Sequence, residues 1–378
     1  MKVGITTFGC DLKSGMSRYV TNLITQFSNI NTQDEFEILG HKSALPEYLS
    51  GVRNDEISSF HVAESLQKPI LNVAWHQLSL PGVCKNHGYD VLFLPAASRR
   101  TPVWTPCPMI GTIHDMSPFH IMGKYDPFRN FYQMQVLPRL YNRLSHIISI
   151  SESTKKDIQK YTNIPDEKIT VIHHAADTSM FYPRDRNQAL ESLGDYQIKT
   201  PYIIYISRIE SPAKNHLNLI RAFEKLKREE KIPHQLILAG ADWHGAEEVH
   251  QAAESSNFSK DIILSGYVKG EDLPNLYSAA DLMVFPSLFE GFGLPILEAM
   301  SCGVPVACSN ISSMPEIAGD AAELFDPLDF ESIARGMSKI LLSDEHKEAI
   351  RKKGQERASQ FSWEKTARLT LDVFRRFK

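Results

Sequence analysis

The chain alternates short β-rich runs with amphipathic stretches, and it does so twice. In the first half, runs at 2–7, 36–40, 57–62, 90–95, 109–114, 147–150 and 169–173 read as strands. Between them, 17–27, 70–80, 128–145 and 153–161 carry helical periodicity, the first with Tyr19, Val20, Leu23, Ile24 and Phe27 on one face. Pro81 ends the second of these helices and Pro138 interrupts the third. After a stretch at 177–198 that reads as a linker, the alternation restarts. Strands are expected at 202–207, 235–239, 262–264, 282–285 and 304–308, and helices at 217–229, 246–253, 273–279 and 295–300. From 329 the tail is largely helical. Apolar runs closed by polar residues suit strands buried on both faces of a parallel sheet. Two consecutive βαβ arrays therefore predict an α/β protein with two doubly wound domains. In such sheets ligands sit beyond the carboxyl ends of the strands, which directs attention to His114, Asp115, Ser151, Arg208, Gly240 and Gly266.

The 378 residues are enough for two such domains, and 42% apolar content is enough for their cores. A formal net charge of −4 argues against bulk nucleic-acid binding. The cysteines (Cys10, Cys84, Cys107, Cys302 and Cys308) form no CxxC pair and read as reduced structural thiols. The histidines form no HExxH and no zinc-finger spacing with cysteine. The N-terminus runs straight into a strand, and no stretch of eighteen apolar residues follows anywhere, so a cytoplasmic protein is expected. Any membrane contact would be peripheral. The segment 123–143 mixes Lys124, Arg129, Arg139 and Arg143 with Phe128, Phe131, Tyr132 and Tyr141. It reads first as a core helix with a solvated face, and second as a helix resting on the inner face of an anionic membrane.

Two nucleotide signatures are missing: no GxGxxG follows the first strand, and there is no GxxxxGK[ST]. Asp-x-Asp, a common holder of a metal–diphosphate, is also absent. The most informative segment is Pro286-Ser-Leu-Phe-Glu-Gly-Phe-Gly-Leu-Pro-Ile-Leu-Glu298. Gly291 and Gly293 allow a sharp turn, and Pro295 suits the first turn of a helix. The amides of Gly293 and Leu294 would then lie at a helix N-terminus, a natural phosphate site. Glu290 and Glu298 flank that turn. Glu298 alone would read as a solvated capping carboxylate; the whole constellation does not. In Ile206-Ser-Arg-Ile-Glu-Ser-Pro-Ala-Lys-Asn-His216, Arg208 closes a strand and Lys214 precedes a helix, so the two could clamp a diphosphate. Near the start, Ser14-Gly-Met-Ser-Arg18 offers Gly15 for close backbone approach; a plain turn with Ser17 as cap reads as well. Ser151 and Ser153 read as caps.

Glu290 and Glu298 match the E-x7-E pattern of glycosyltransferase family 4. Gly303-Val-Pro-Val, Pro315-Glu316, Gly266-Tyr-Val, Leu276-Tyr-Ser-Ala-Ala-Asp281 and Phe361-Ser-Trp363 resemble the same family, densely in the second half and thinly in the first. The separation of Arg208 and Lys214 also matches, although Ser207 stands where the family often has glycine. The resemblance implies a GT-B fold with two Rossmann-like domains facing across a cleft. Its domains would be 1–182 on the acceptor side, 183–360 for the nucleotide sugar, and a closing helix at 361–378 crossing back to the first. It implies a retaining hexosyl transfer with no required metal and no cofactor beyond the nucleotide-diphosphate sugar. Glu290 and His114 would lie by the donor sugar, with Asp115 orienting His114 or holding its loop. Arg208, Lys214, Gly15, Gly293 and Leu294 would hold the diphosphate, Tyr267 and Val268 the nucleotide, and Glu298 the ribose. Trp75…Leu80-Pro81 and SR-x5-KNH resemble mannosyl- and rhamnosyl-type transferases of bacterial surface polysaccharide. These use GDP-mannose or a similar donor and a glycan or lipid-linked acceptor. Two rivals remain: a nucleotide-sugar 2-epimerase of the same fold, and a non-catalytic sugar-nucleotide-binding subunit.

Overall fold

The computed structural model describes residues 1–8, 15–30, 33–52, 57–97, 101–121, 127–196 and 198–378. Cys10, Ser14, Gly123 and Lys124 lie outside these. The chain forms two compact units: Met1–His174 with Trp363–Lys378, and Ala175–Ser362.

The first unit is built on seven strands: β1 (Lys2–Thr6), β2 (Glu35–His41), β3 (Ile57–Val62), β4 (Val91–Leu94), β5 (Met109–Ile113), β6 (His146–Ser149) and β7 (Ile169–Val171). They lie in the order β3-β2-β1-β4-β5-β6-β7, all parallel. The second unit has β8 (Tyr202–Ile206), β9 (Gln235–Ala239), β10 (Ile262–Gly266), β11 (Leu282–Phe285), β12 (Val306–Ser309) and β13 (Glu323–Phe325). Their order is β10-β9-β8-β11-β12-β13, again all parallel. Each sheet grows outward from its first strand in both directions. The reversal point lies between β1 and β4 in one unit and between β8 and β11 in the other, where the helices on either side part and leave a crevice.

The continuous apolar runs are explained by burial on both faces. Every residue of β4, β5 and β11 is buried. Helix Gly15–Asn29 covers one face of the first sheet through Tyr19, Val20, Leu23, Ile24 and Phe27. Each such fully buried side chain contributes about 1.5–3 kcal/mol. The last helix, Trp363–Arg375, packs beside it. Phe374 of this helix meets Phe93 at 5.0 Å, and Thr366 donates to the His173 carbonyl at 2.7 Å.

Five expectations need correction. The stretch 177–198 is no free linker: Phe181 packs on Tyr277, Arg186–Glu191 is a helix, and Arg186 makes a two-pronged ion pair with Asp281 (3.1 and 2.7 Å). Asp281 is buried, which pushes its carboxyl up, but Arg186 and Lys347 outweigh this and hold it below the ordinary range. That anchoring draws residues 175–182 into the second unit, so the boundary falls at 174/175 rather than 182/183. The second crossing lies at 362/363, two residues later than expected. Pro81 starts a further helix, Leu80–His87, because proline at the first turn forfeits no hydrogen bond. The expected helix at 128–145 runs as Pro127–Phe131, a wide π turn at Tyr132–Val136, and Leu137–Tyr141. Pro138 supplies no N–H and crowds the preceding turn, which widens. Leu137 and Tyr141 lie in the core with Tyr132 against them, and Phe131 is exposed, so the aromatics of this segment divide between core and surface. No helix among the described residues is long and apolar enough to cross a membrane.

Candidate active site

The reversal point of the second sheet brings the loops after β8 and β11 together. Lys214 Nζ lies 2.6 Å from Glu290 Oε1, with both side chains about five-sixths buried (16% and 17% exposed). Several contacts fix this pair. Asn215 adopts a left-handed conformation (φ 58°) and donates to the carbonyls of Pro286 at 3.0 Å and Pro327 at 2.7 Å. The Leu288 amide donates to the Ala213 carbonyl at 3.0 Å. The Tyr205 hydroxyl donates to the Lys214 carbonyl at 2.9 Å and lies 3.0 Å from Ser287 Oγ. Burial and then the Glu290 charge push the Tyr205 phenol up, so it stays a donor. Asparagine enters the left-handed region more readily than most residues, and here its amide is tied to two distant carbonyls, which explains its place in the Lys-Asn-His run.

Glu290 itself is held by its backbone. Ser312 Oγ accepts from its amide (3.2 Å) and donates to its carbonyl (2.6 Å), while Ser313 Oγ sits 3.0 Å from that carbonyl and 2.9 Å from that of Phe292. Gly293 then turns the chain at φ 96° and caps helix Leu294–Ser301, with Pro295 in the first turn. A helix beginning here directs its first amides at the crevice, where an anion is favoured. One turn in, the buried carboxylate of Glu298 accepts from the Tyr277 hydroxyl at 3.1 Å. Glu298 is therefore a bonded, buried group and not the solvated cap that a lone carboxylate there would suggest.

Arg208, 47% exposed, pairs with buried Glu210 at 3.2 Å. His216 braces the same loop: Nδ1 donates to the Glu210 carbonyl and Nε2 lies 3.3 Å from Ser207 Oγ. Burial holds this imidazole down at about 4, so it is neutral. At the end of β10, Gly266 (φ 68°) is followed by Tyr267, 63% exposed, and by buried Val268.

In the first unit, Gly15 opens helix Gly15–Asn29, and a Cβ placed there meets nothing within 4 Å. Protein packing does not demand glycine at this position; the open space does leave its backbone approachable. Ser17 lies inside the helix, not at its cap. His114, just past β5, donates from Nε2 to the Pro95 carbonyl at 2.7 Å and meets the Tyr19 ring edge-on at 5.1 Å. A carbonyl can only accept, so Nε2 carries hydrogen. Asp115 Oδ1 accepts from the Ser117 amide at 2.9 Å, so it holds the loop. His114, Asp115, Met16, Arg129 and Tyr141 line a pocket of about 140 Å³. Ser151 caps helix Glu152–Thr162 by accepting from the Thr154 amide. Among the described residues no three His, Cys, Asp or Glu side chains are grouped to hold a metal ion.

Residues that sequence reading passed over are Asn215, Tyr205, Tyr277, Glu210, Ser312 and Ser313. Asn215 and Tyr277 lie inside motifs already singled out. The two serines act from 22 or 23 residues away, with no local pattern to mark them.

Residues 13–180 match the family described as Glycosyltransferase Family 4, and residues 194–357 match Glycosyl transferases group 1. The O-antigen chain mannosyltransferase B of Escherichia coli is 36% identical over 267 residues, covering 70% of each chain. The serotype-specific mannosyltransferase WbdA of Escherichia coli is 33% identical over 277 residues, covering 72% of this chain and 34% of that protein, so the chain spans about a third of WbdA. Among solved structures, Anabaena Alr3699/HepE in complex with UDP and glucose superposes with a TM-score of 0.75 at 18% identity over 99% of each chain.

Proposed function

The chain belongs to glycosyltransferase family 4, with the GT-B fold, and from that premise we propose that it transfers a mannosyl-type hexose from a nucleoside-diphosphate donor to a glycan or lipid-linked acceptor, with retention. Surface polysaccharide assembly is the setting that the names of the mannosyltransferase relatives support, and GDP-mannose is the donor to try first.

The observation that carries this reading is the Lys214–Glu290 pair at the reversal point of the second sheet, beside the Gly293 helix start. Lys214, Arg208 and the amides of Gly293 and Leu294 neutralise the diphosphate as it leaves. Preorganised positive charge of this kind stabilises a transition state more than the ground state. Glu290 stabilises the positive charge that grows on the sugar, and Glu298, bonded to Tyr277, takes the ribose hydroxyls. Tyr267 and Val268 flank the nucleotide. Gly15 lets the backbone approach the diphosphate, and His114 contacts the sugar. The departing phosphate takes the acceptor's proton. The reaction runs without a metal, because lysine, arginine and helix amides supply the counter-charge. Exposed Phe131, with Arg129 and Arg139 in the same segment, supports peripheral contact with an anionic membrane that carries a lipid-linked acceptor.

The test is a thermal-shift panel of GDP-mannose, UDP-glucose and dTDP-rhamnose, followed by transfer assays with the stabilising donor in excess EDTA. The expected result is stabilisation by GDP-mannose and an α-linked product formed at an undiminished rate in EDTA. Rescue only by Mg²⁺ or Mn²⁺ refutes the metal-free clamp. Conversion of the donor to its 2-epimer, or tight binding with no turnover, refutes transfer itself.

A further inference from the structure

Past the ends of β8 and β9 the chain keeps pairing. The Ile209 amide donates to the Ala241 carbonyl (3.0 Å), the Trp243 amide to the Ile209 carbonyl (2.9 Å) and the Ser211 amide to the His244 carbonyl (3.0 Å). Two glycines make room for this zipper. A Cβ on Gly240 would stand 1.8 Å from the Ser207 carbonyl oxygen, and one on Gly245 (φ 74°) would stand 2.9 Å from that of Ser211. Both obstacles are backbone and cannot swing aside. The zipper leaves Trp243 half exposed, with the Arg208 guanidinium 5.0 Å from its ring centre. Below, the Glu210 side chain is 3% exposed; its Oε2 lies 3.2 Å from Arg208 Nη2 and makes no hydrogen bond of good geometry. The guanidinium is thus held between an aromatic face and a buried carboxylate.

We infer that Trp243 and Glu210 are positioning residues for Arg208, together forming a holder that presents its guanidinium to the donor's diphosphate. An arginine on a free loop must give up rotamer freedom to bind; one already stacked and paired gives up less. The indole face attracts the cation without competing for the donors that point at phosphate. The inference rests on the reading of Arg208 as a diphosphate ligand, and the test separates the two.

GDP and UDP are titrated calorimetrically into the full chain, and the tighter of the two carries the comparison. Trp243→Leu is expected to weaken binding about three- to fivefold, Trp243→Phe to retain most of the affinity, and Glu210→Asp, which keeps the charge but withdraws the carboxylate from Arg208, to weaken it about threefold. In an Arg208→Ala background, Trp243→Leu is expected to add nothing, because its effect runs through the missing guanidinium. If Arg208→Ala leaves affinity unchanged, the diphosphate reading of Arg208 is wrong. If Arg208→Ala weakens binding tenfold and Trp243→Leu is silent, the holder is wrong. Equal loss from Trp243→Leu in both backgrounds means that the indole stacks on the nucleotide itself, which also overturns the inference. Should Trp243→Leu melt early, Glu210→Asp is run through the same cycle and read in the same way.

Discussion

Replacing Glu290 by glutamine should move two measurable quantities in opposite directions. In the wild-type chain Glu290 sits 2.6 Å from Lys214, and each side chain is about five-sixths buried. Fully exposed pairs of this kind couple by about 0.2–1 kcal/mol, and removing one partner of a fully buried pair costs about 3–5 kcal/mol. A coupling of about 1.4 kcal/mol is a reasonable middle value for this burial, and it corresponds to a tenfold change in an equilibrium constant. The amide of glutamine keeps the shape and removes the charge, so Lys214 becomes a fuller positive charge facing the diphosphate. Free GDP should therefore bind Glu290→Gln about tenfold tighter than wild type. Turnover should fall instead, because the carboxylate that stabilises the developing sugar cation is gone. A loss of about two to three orders of magnitude in kcat corresponds to about 3–4 kcal/mol. Calorimetry of GDP and single-turnover transfer from GDP-mannose read the two quantities separately. If GDP binding weakens along with turnover, Glu290 is a structural partner of Lys214 and the division of roles is wrong. A kcat reduced less than tenfold refutes a transition-state role for Glu290 outright.

Glu298→Gln should raise the donor KM about tenfold with kcat within a factor of two, since ribose hydroxyls do not change during reaction; a fall in kcat matching that of Glu290→Gln contradicts the assignment. Asn215→Ala removes two hydrogen bonds to the carbonyls of Pro286 and Pro327 from a left-handed residue. It should destabilise the chain by about 2–3 kcal/mol in urea titration, and an unchanged midpoint refutes its anchoring role. His216 is held neutral by burial, at about 4 in the folded chain against about 6.5 unfolded. The unfolded state thus binds the extra proton first, so stability is full above pH 6.5 and is lost as pH falls toward 4. Between pH 7.5 and 5 this one group removes about 2 kcal/mol. His216→Gln should lose that much less over the same interval, and equal acid slopes for the two proteins rule the mechanism out.

The local order of elements was legible because each strand and helix carries its own period. Residues 282–285 could be assigned to the residue, since an apolar run with polar ends says where burial stops. The Gly293 turn and the helix it opens were equally legible, because a left-handed turn, a proline and a helix start are local chemistry. Where local signals compete, the reading failed. Pro81 ends one helix and begins the next, and Pro138 widens its helix without breaking it, because neighbouring turns re-satisfy the freed groups. The charged stretch at 177–198 looks like a linker until Asp281, nearly a hundred residues away, supplies a buried partner for Arg186.

The amino-acid sequence by itself determined that two parallel sheets would form and which residue types would stand at their carboxyl ends. Tertiary structure alone decided which of those residues meet. Lys214 and Glu290 are 76 residues apart and touch only because β8 and β11 are neighbours at the reversal of strand order. Ser312 reaches back to Glu290 from the loop after β12, and Trp243 comes to lie on Arg208 because β9 flanks β8. Strand order is set by how whole helices bury their apolar faces across the sheet, a sum over many distant contacts that no single segment encodes.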